Sequence, residues 1–555
     1  MMHKLIRYAA LAGAISLGAC SEESLEVTNP NDPETDRVLA SPTDAEALLG
    51  SYYRRWHAAL HDGSGNVWPM SSVMSFANYS SLANVCLNMR AGIPRATNDN
   101  SISNTCSGEQ SRVYFVEGEV ARVASNILAR FNQDGYTLGD VAEDHRARAF
   151  AEFLRGMSHG YLALIYDSAS VVSVGQDPED AGALRGYMEV MDSSYVALAN
   201  AITHAQAAQA AGGTDIPQAW IPTSMTLDMP TFIEVIRSYR ARFRANVARN
   251  PAERAAVDWA AVIADAQAGI TEDFDNITDN TAGPDNDWPD QYMAFGLWHQ
   301  MPPWIMGFAD TTDSYAEWIA LPLDDRGTGG AFFMVSPDQR FPQGQSRAAQ
   351  QADFAIVSCD DVAPCERYFV NRPSGEDQSA GLSWGQSNYD FVRFHTWRQG
   401  QGGEGSFPFF TVAELNMLEA EGHIRAGNHG AAATLINLTR TTNGGLPAVT
   451  GTVDGGLAGN ACVPKMAMNA AHSGGGTVTC GNLMEAMKWE KRMETLLTHF
   501  AAWFLDSRGW GDLPEGTPTQ WAPPWQDLQV RRANIYSIGT GTEGGGAAGP
   551  STYGW

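Results

Sequence analysis

Basic residues are scarce in this chain: Lys and Arg number 36 against 63 Asp and Glu in 555 residues, a formal net charge of −27. A surface of that sign repels polyanions, so nucleic acid and anionic lipid are disfavoured as partners, and the acidity reads as a means of staying soluble. His-Glu-x-x-His and Walker motifs are absent, which removes the common metalloprotease and nucleotidase signatures. Cys-x-x-Cys does not occur, and no cysteine couple is matched to histidines at zinc spacing. No metal and no cofactor is expected. Beyond the first twenty residues no apolar run is long enough for a bilayer, because the best candidates, near Tyr161 and Leu496, are amphipathic and broken by charges.

The N-terminus carries what the rest lacks. Lys4 and Arg7 precede an apolar stretch from Tyr8 to Ala19, and Leu17-Gly18-Ala19-Cys20 closes it with small residues before a cysteine. That is the pattern of a lipoprotein export signal, with cleavage before Cys20 and lipid attachment to it. Residues 1–19 are therefore read as the signal peptide and 20–40 as a lipidated flexible tether, since Ser21 to Pro33 is polar, acidic and interrupted by Asn-Pro and Asp-Pro. The lipid is expected to be the sole membrane anchor. Cleavage removes two of the 36 basic residues and no acid, so the mature chain has 34 against 63 and a net charge of −29.

Seven cysteines become six once Cys20 is lipidated, an even count that implies disulfides in an exported chain. They fall into sequence-local couples: Cys86 with Cys106, Cys359 with Cys365, and Cys462 with Cys480. Local pairing is the favoured reading because each couple brackets a polar, turn-rich segment in need of a clasp.

Helical periodicity dominates. Phe150, Phe153, Leu154, Met157, Tyr161, Leu164 and Ile165 share one helical face. Ser41-Pro42 opens a helix that runs towards Leu60, and others are expected near 113–131, 184–211, 231–249, 256–270, 411–426 and 429–441. A last long helix is expected to carry Ala486, Trp489, Met493, Leu496, Leu497, Phe500 and Phe504 on one face. Helix pairs with short turns are the plan of helical-repeat arrays. Residues 274–408 differ: Gly, Pro, Asp and Trp become frequent and no long helical period survives. This irregular lobe holds Trp288, Tyr292, Trp298, Trp304, Trp318, Trp384 and Trp397, and a loop at 61–106 carries Trp68, Phe76 and Tyr79. Rings on loops over a rigid scaffold suit a binding surface, although most are expected to be core for a lobe with little regular structure.

Several stretches resemble the SusD/RagB-like family of outer-membrane nutrient-binding lipoproteins. Thr28-Asn29-Pro30-Asn31-Asp32-Pro33 before the Ser41 helix is similar to the family's start. Glu152-Phe153-Leu154-Arg155-Gly156, continuing to Tyr161 and Tyr166-Asp167, resembles one of its helices. Phe407-Pro408-Phe409-Phe410 with Ala413-Glu414, Leu418 and Ala420-Glu421, then Ala432, Asn437 and Arg440, resembles its C-terminal helix pair. Glu490-Lys491-Arg492-Met493-Glu494, with Trp503-Phe504, Asp506 and Arg508, resembles its final helix, although the family's Glu-Gly stands here as Thr498-His499.

The resemblance implies a mainly α fold, a SusD-like α/α superhelix of tetratricopeptide-like helix pairs carrying a large irregular lobe. Helical regions are expected at 41–273 and 409–510, the latter with a disulfide loop at 451–482, the lobe at 274–408 and a Gly/Pro-rich segment at 511–555. It also implies an outer-membrane protein facing the cell exterior that captures an oligosaccharide, peptide or similar oligomer. Its partner would be a SusC-like TonB-dependent barrel transporter. By the same analogy, ligand contacts would come from Trp68, Asn78, Tyr79 and Arg90 in the first loop and from Tyr292, Trp298 and Trp304 in the lobe. The rival readings are a surface glycoside hydrolase, with its acids among Asp273, Asp275, Asp279, Asp285, Asp287 and Asp290, and a helical-repeat scaffold without a small ligand. A solvated loop is the plainer reading of those acids, and no catalytic residue is assigned. Gly539 to Gly544 satisfies Gly-x-Gly-x-x-Gly but reads as a flexible tail.

Overall fold

The long apolar stripe from Phe150 to Ile165 has the reach of a central helix, and the chain builds its core around it. The computed structural model describes residues 39–61, 66–79, 86–177, 180–286, 289, 301–326, 332–353, 367–372, 387–400, 402–468, 477–539 and 544–555. Helices α1 Pro42–His61, α2 Val67–Met74, α3 Leu87–Ala91, α4 Gly108–Phe131, α5 Val141–Ile165, α6 Tyr187–Ala210, α7 Met229–Asn246, α8 Pro251–Ala255 and α9 Trp259–Gln267 precede the lobe. Short helices α10 Pro303–Met306, α11 Ser314–Ala320 and α12 Arg347–Asp353 lie within it. After it come α13 Val412–Arg425, α14 His429–Arg440, α15 Leu483–Thr495, α16 Ala502–Trp510 and α17 Trp525–Val530. The fold is mainly α, and among the described residues no helix is long and apolar enough to cross a membrane.

Asp140 starts α5 by accepting from the backbone N–H groups of Ala142 and Glu143 at 2.8 and 3.1 Å, which satisfies two donors a helix start leaves open. All seven residues of its stripe are buried. Two glycines let neighbours close on it: a Cβ at Gly156 would stand 2.7 Å from Leu198 of α6, and one at Gly160 would stand 2.2 Å from the Phe243 ring of α7. Each helix then packs on the next, α4 on α5, α5 on α6, α6 on α7 and α7 on α9. The series does not stop at the lobe. Helix α9 packs on α13, which packs on α14 and α15. Strand β3 Phe274–Thr278 pairs antiparallel with β6 Gly405–Phe410, from Phe274 opposite Phe410 to Thr278 opposite Gly405. Of the other ribbons, β1 Ser168–Ser170 pairs with β2 Leu184–Gly186, β4 Phe369–Asn371 with β5 Tyr389–Phe391, and β7 Lys465–Met468 with β8 Thr477–Cys480. The irregular lobe is thus a long excursion whose entry and exit are zipped together beside a continuous helical array.

Charged residues cross-link that array from inside. Arg242 of α7 makes a bidentate pair with Glu414 of α13, at 2.9 and 2.6 Å. Arg254 of α8 does the same with Glu421, at 3.0 and 2.6 Å, and reaches Asp506 of α16 at 3.2 Å. Burial alone would raise the Glu421 carboxyl, but the Arg254 guanidinium outweighs it and holds the group down to about 2. The pair's contribution is complete above about pH 4.5 and is lost as the pH falls towards 2. The acids and bases of the 414–421 and 490–508 motifs are therefore buried fasteners between helices.

Glu117 of α4 is the opposite case. It is fully buried, the Ser158 hydroxyl is its one polar neighbour and makes no bond of normal geometry, and burial outweighs it and pushes the carboxyl well above the usual range. A group with a raised folded pKa stabilises the fold only while protonated, so its cost grows as pH rises above about 4.3. Glu117→Gln is expected to match the parent at pH 4 and to be more stable by more than about 1.4 kcal/mol at pH 7.5 in chemical denaturation. A variant less stable than the parent at pH 7.5 would show that the carboxylate has a partner.

Two expectations differ from the structure, and a third agrees with it where it is described. The 486–504 stripe is two helices: α15 ends at Thr495, Leu497 and Ala501 take positive φ of 61° and 55°, and α16 starts at Ala502. Leu496, Leu497 and Phe500 stay buried through the break, so the apolar pattern does not register it. What the turn gains is His499, which comes to 3.3 Å from Glu414 beside Arg242. The Gly-rich tail is also no free end. Thr552 N donates to Gly511 O and Ala547 N to Thr517 O, each at 2.8 Å, and Tyr553 and Trp555 are fully buried. Disulfides join Cys86 to Cys106 and Cys462 to Cys480. Cys20 and the Cys359–Cys365 couple lie outside the described residues.

Candidate functional site

The first loop begins with α2, whose Asn66 cap accepts from Trp68 N at 2.8 Å. All eight residues of α2 are buried. The Trp68 ring stands edge-on to His61 at 5.0 Å and tilted to Phe500 at 6.2 Å, and only 2% of the residue is exposed. Asn78 and Tyr79 follow at 1% and 8%. Arg90 forms a buried salt bridge with Glu109 and donates to Thr97 O at 2.8 Å.

The lobe supplies the other half. Trp304 is completely buried, stacked on Phe76 of the first loop at 5.0 Å and 14°. Trp318 and Trp555 meet it edge-on, each at 5.2 Å, and Arg326 sits over its ring at 4.8 Å. Tyr315 OH donates to Trp304 O at 2.7 Å. Phe308 packs on both Tyr553 and Trp555. First loop, lobe and C-terminal segment thus merge in one aromatic block, with Trp304 at its centre.

Of the seven residues expected to touch ligand, five are described, and Trp68, Asn78, Tyr79, Arg90 and Trp304 are all buried. The Trp304 ring, stacked on Phe76 and covered by Arg326, offers no open face for a sugar or apolar group. Tyr292 and Trp298 lie outside the described residues, as do Trp288 and Trp384. The first loop and the lobe meet through Phe76 and Trp304, and the sequence does not show which of their rings face inward. The C-terminal contribution of Tyr553 and Trp555 has no signal beyond two aromatics in a Gly-rich stretch.

The acids near the lobe entrance are engaged locally. Asp275 accepts from Thr223 Oγ1 at 2.6 Å and Ser224 N at 2.9 Å, Asp279 from Thr281 N and Ala282 N, and Asp273 from Val412 N at 2.8 Å. Asp287 and Asp290 lie outside the described residues. Gly381-Leu382-Ser383-Trp384-Gly385 has Gly-x-Ser-x-Gly spacing and also lies outside them, but the chain after it forms strand β5, not the helix that follows a nucleophile elbow. Among the described residues no group of three or more His, Cys, Asp or Glu could hold a metal ion.

Solved structures share the fold over most of the chain. A SusD homolog from Parabacteroides distasonis ATCC 8503 matches 92% of this chain and 98% of its own, with a TM-score of 0.53 at 11% identity. The chain has a SusD-like fold. A SusD superfamily protein from Bacteroides vulgatus ATCC 8482 agrees, covering 86% of this chain and 89% of its own at a TM-score of 0.50 and 13% identity. No family model matches the sequence, and no curated protein does either. Identity this low carries the SusD-like architecture and no residue roles.

Proposed function

We propose that the protein is a cell-surface lipoprotein that captures an oligosaccharide or similar oligomeric nutrient and delivers it to a TonB-dependent outer-membrane transporter. The observation that carries this reading is the SusD-like fold over 92% of the chain, array and lobe together. The Cys20 signal supports export and lipid anchoring, and the absence of a membrane-spanning helix among the described residues is compatible with it. The aromatic block supports a ligand face formed by the first loop and the lobe: Trp304, Trp68 and Arg90 fix the base of both loops, and Tyr292 and Trp298 are the rings proposed to meet ligand. Such a base holds recognition loops at low entropic cost, as a rigid scaffold should.

The transporter arm is tested by affinity purification of the tagged protein from outer membranes of its native host. A SusC-like barrel is expected in stoichiometric amount, together with a protein that is acylated at Cys20. Recovery in the soluble fraction, or from the membrane without a barrel, would contradict the delivery role.

A further inference from the structure

Between the start of α6, the α7–α8 turn, the end of α16 and the C-terminal segment lies a cavity of about 700 Å³, within the size range of small-molecule sites. Its wall includes Tyr187, Arg249, Glu253, Arg508, Gln520 and the Gly545–Gly549 backbone. None of these belongs to the aromatic block.

The two arginines are only 5% and 1% exposed. Arg249 donates to the carbonyls of Ala163 and Tyr166 at 2.7 Å each and to Gln520 Oε1. Arg508 donates to Thr519 O at 2.8 Å and Asn246 O at 2.9 Å. Every acceptor is neutral, and neither Nε–H has one. Four other buried arginines, Arg242, Arg254, Arg340 and Arg492, have a carboxylate, whereas Arg95 is held by the Thr517 hydroxyl and backbone carbonyls but is not part of this cavity's wall. Glu253, the acid in the same wall, is committed to the start of α8, accepting from Arg249 N at 2.8 Å and Asn250 Nδ2 at 2.6 Å. The carbonyls at the ends of α5 and α7 supply partial negative charge, and Asp167 and Glu253 act from a distance, but neither guanidinium has a carboxylate in salt-bridge contact. Two buried cations side by side without one are costly. Burial pushes the Arg249 guanidinium down to about 10, and burial together with the Arg249 charge pushes Arg508 down as well.

We propose that this cavity binds the carboxylate of a small ligand, with Arg249 and Arg508 as its counter-ions and the Tyr187 ring, which lies 3.7 Å under Arg249, as its flank. A uronic acid and the free C-terminus of a peptide present the same group. Titration calorimetry of the purified full-length protein with D-glucuronate, D-glucose, trialanine and trialanine amide separates them. One carboxylate probe is expected to bind saturably while its neutral counterpart does not, and the probe that binds names the source. Arg249→Met is expected to abolish that binding, but it also removes contacts at the end of α5. Ala548→Glu, on the exposed rim, leaves both helix ends intact and is expected to weaken binding about tenfold with the thermal transition unchanged. Equal binding of a neutral partner, no binding by any of the four, or full affinity in folded Ala548→Glu would overturn the proposal.

Discussion

Arg340→Met is expected to cost about 3–5 kcal/mol of folding stability, enough to unseat the lobe from the helical array. Arg340 leaves the lobe and enters a fully buried cluster: it holds Asp338 at 2.9 and 2.7 Å, Glu490 of α15 at 2.8 Å and Glu494 at 3.1 Å. Its removal strands three carboxylates at essentially zero exposure, with Arg393 still near Glu494 and Arg440 only 3.9 Å from Glu490. Burial already raises the Glu490 carboxyl even against the Arg340 charge. Without that charge the Glu490 carboxyl is raised further, so the deficit should shrink as the pH is lowered towards 5. Urea denaturation at pH 7.5 and pH 5 measures both effects. A loss under about 1 kcal/mol at pH 7.5 would mean that the cluster does not fasten the lobe.

Trp304→Ala is expected to cost a similar amount, about 3–5 kcal/mol, because it empties the centre of a block whose other rings belong to three separate stretches of chain. Phe76, Trp318 and Trp555 lose their common partner and Arg326 loses the face it covers. Trp68→Ala should behave alike at the other end of the first loop, where the ring closes on His61 and Phe500. The discriminating readout is the folding transition. A ring that only stacks on ligand leaves it in place when truncated and changes affinity alone, whereas a supporting ring lowers the transition itself. An unchanged denaturation midpoint in Trp304→Ala would place that ring on the ligand side.

The helices of this protein were legible because burial writes a 3.6-residue period into α1, α4, α5, α7 and α13, and their ends carry caps such as Asp140 and Thr411. Charged motif residues were legible as a pattern but not as partners: nothing local says that Glu414 meets Arg242 across 172 positions, or that Glu490 meets Arg340 across 150. The same limit hid the break after Thr495, since a turn that keeps Leu496 and Phe500 inside leaves the apolar pattern intact. For the candidate site the limit is sharper. An aromatic residue in an irregular segment is chemically suited to both core and ligand, and only the third dimension separates them. Trp304 went to the core because the described part of the lobe has little regular structure to close on without its large rings, and Trp68 because all of α2 is buried.

Titration calorimetry of the soluble chain that starts after Cys20, against a panel of oligosaccharides and oligopeptides with product analysis of the same mixtures, tests the central claim most directly. Saturable binding of one ligand class with every ligand recovered intact is the predicted result. Cleaved product would contradict it, and would move attention to the acids between Asp273 and Asp290 and to Ser383.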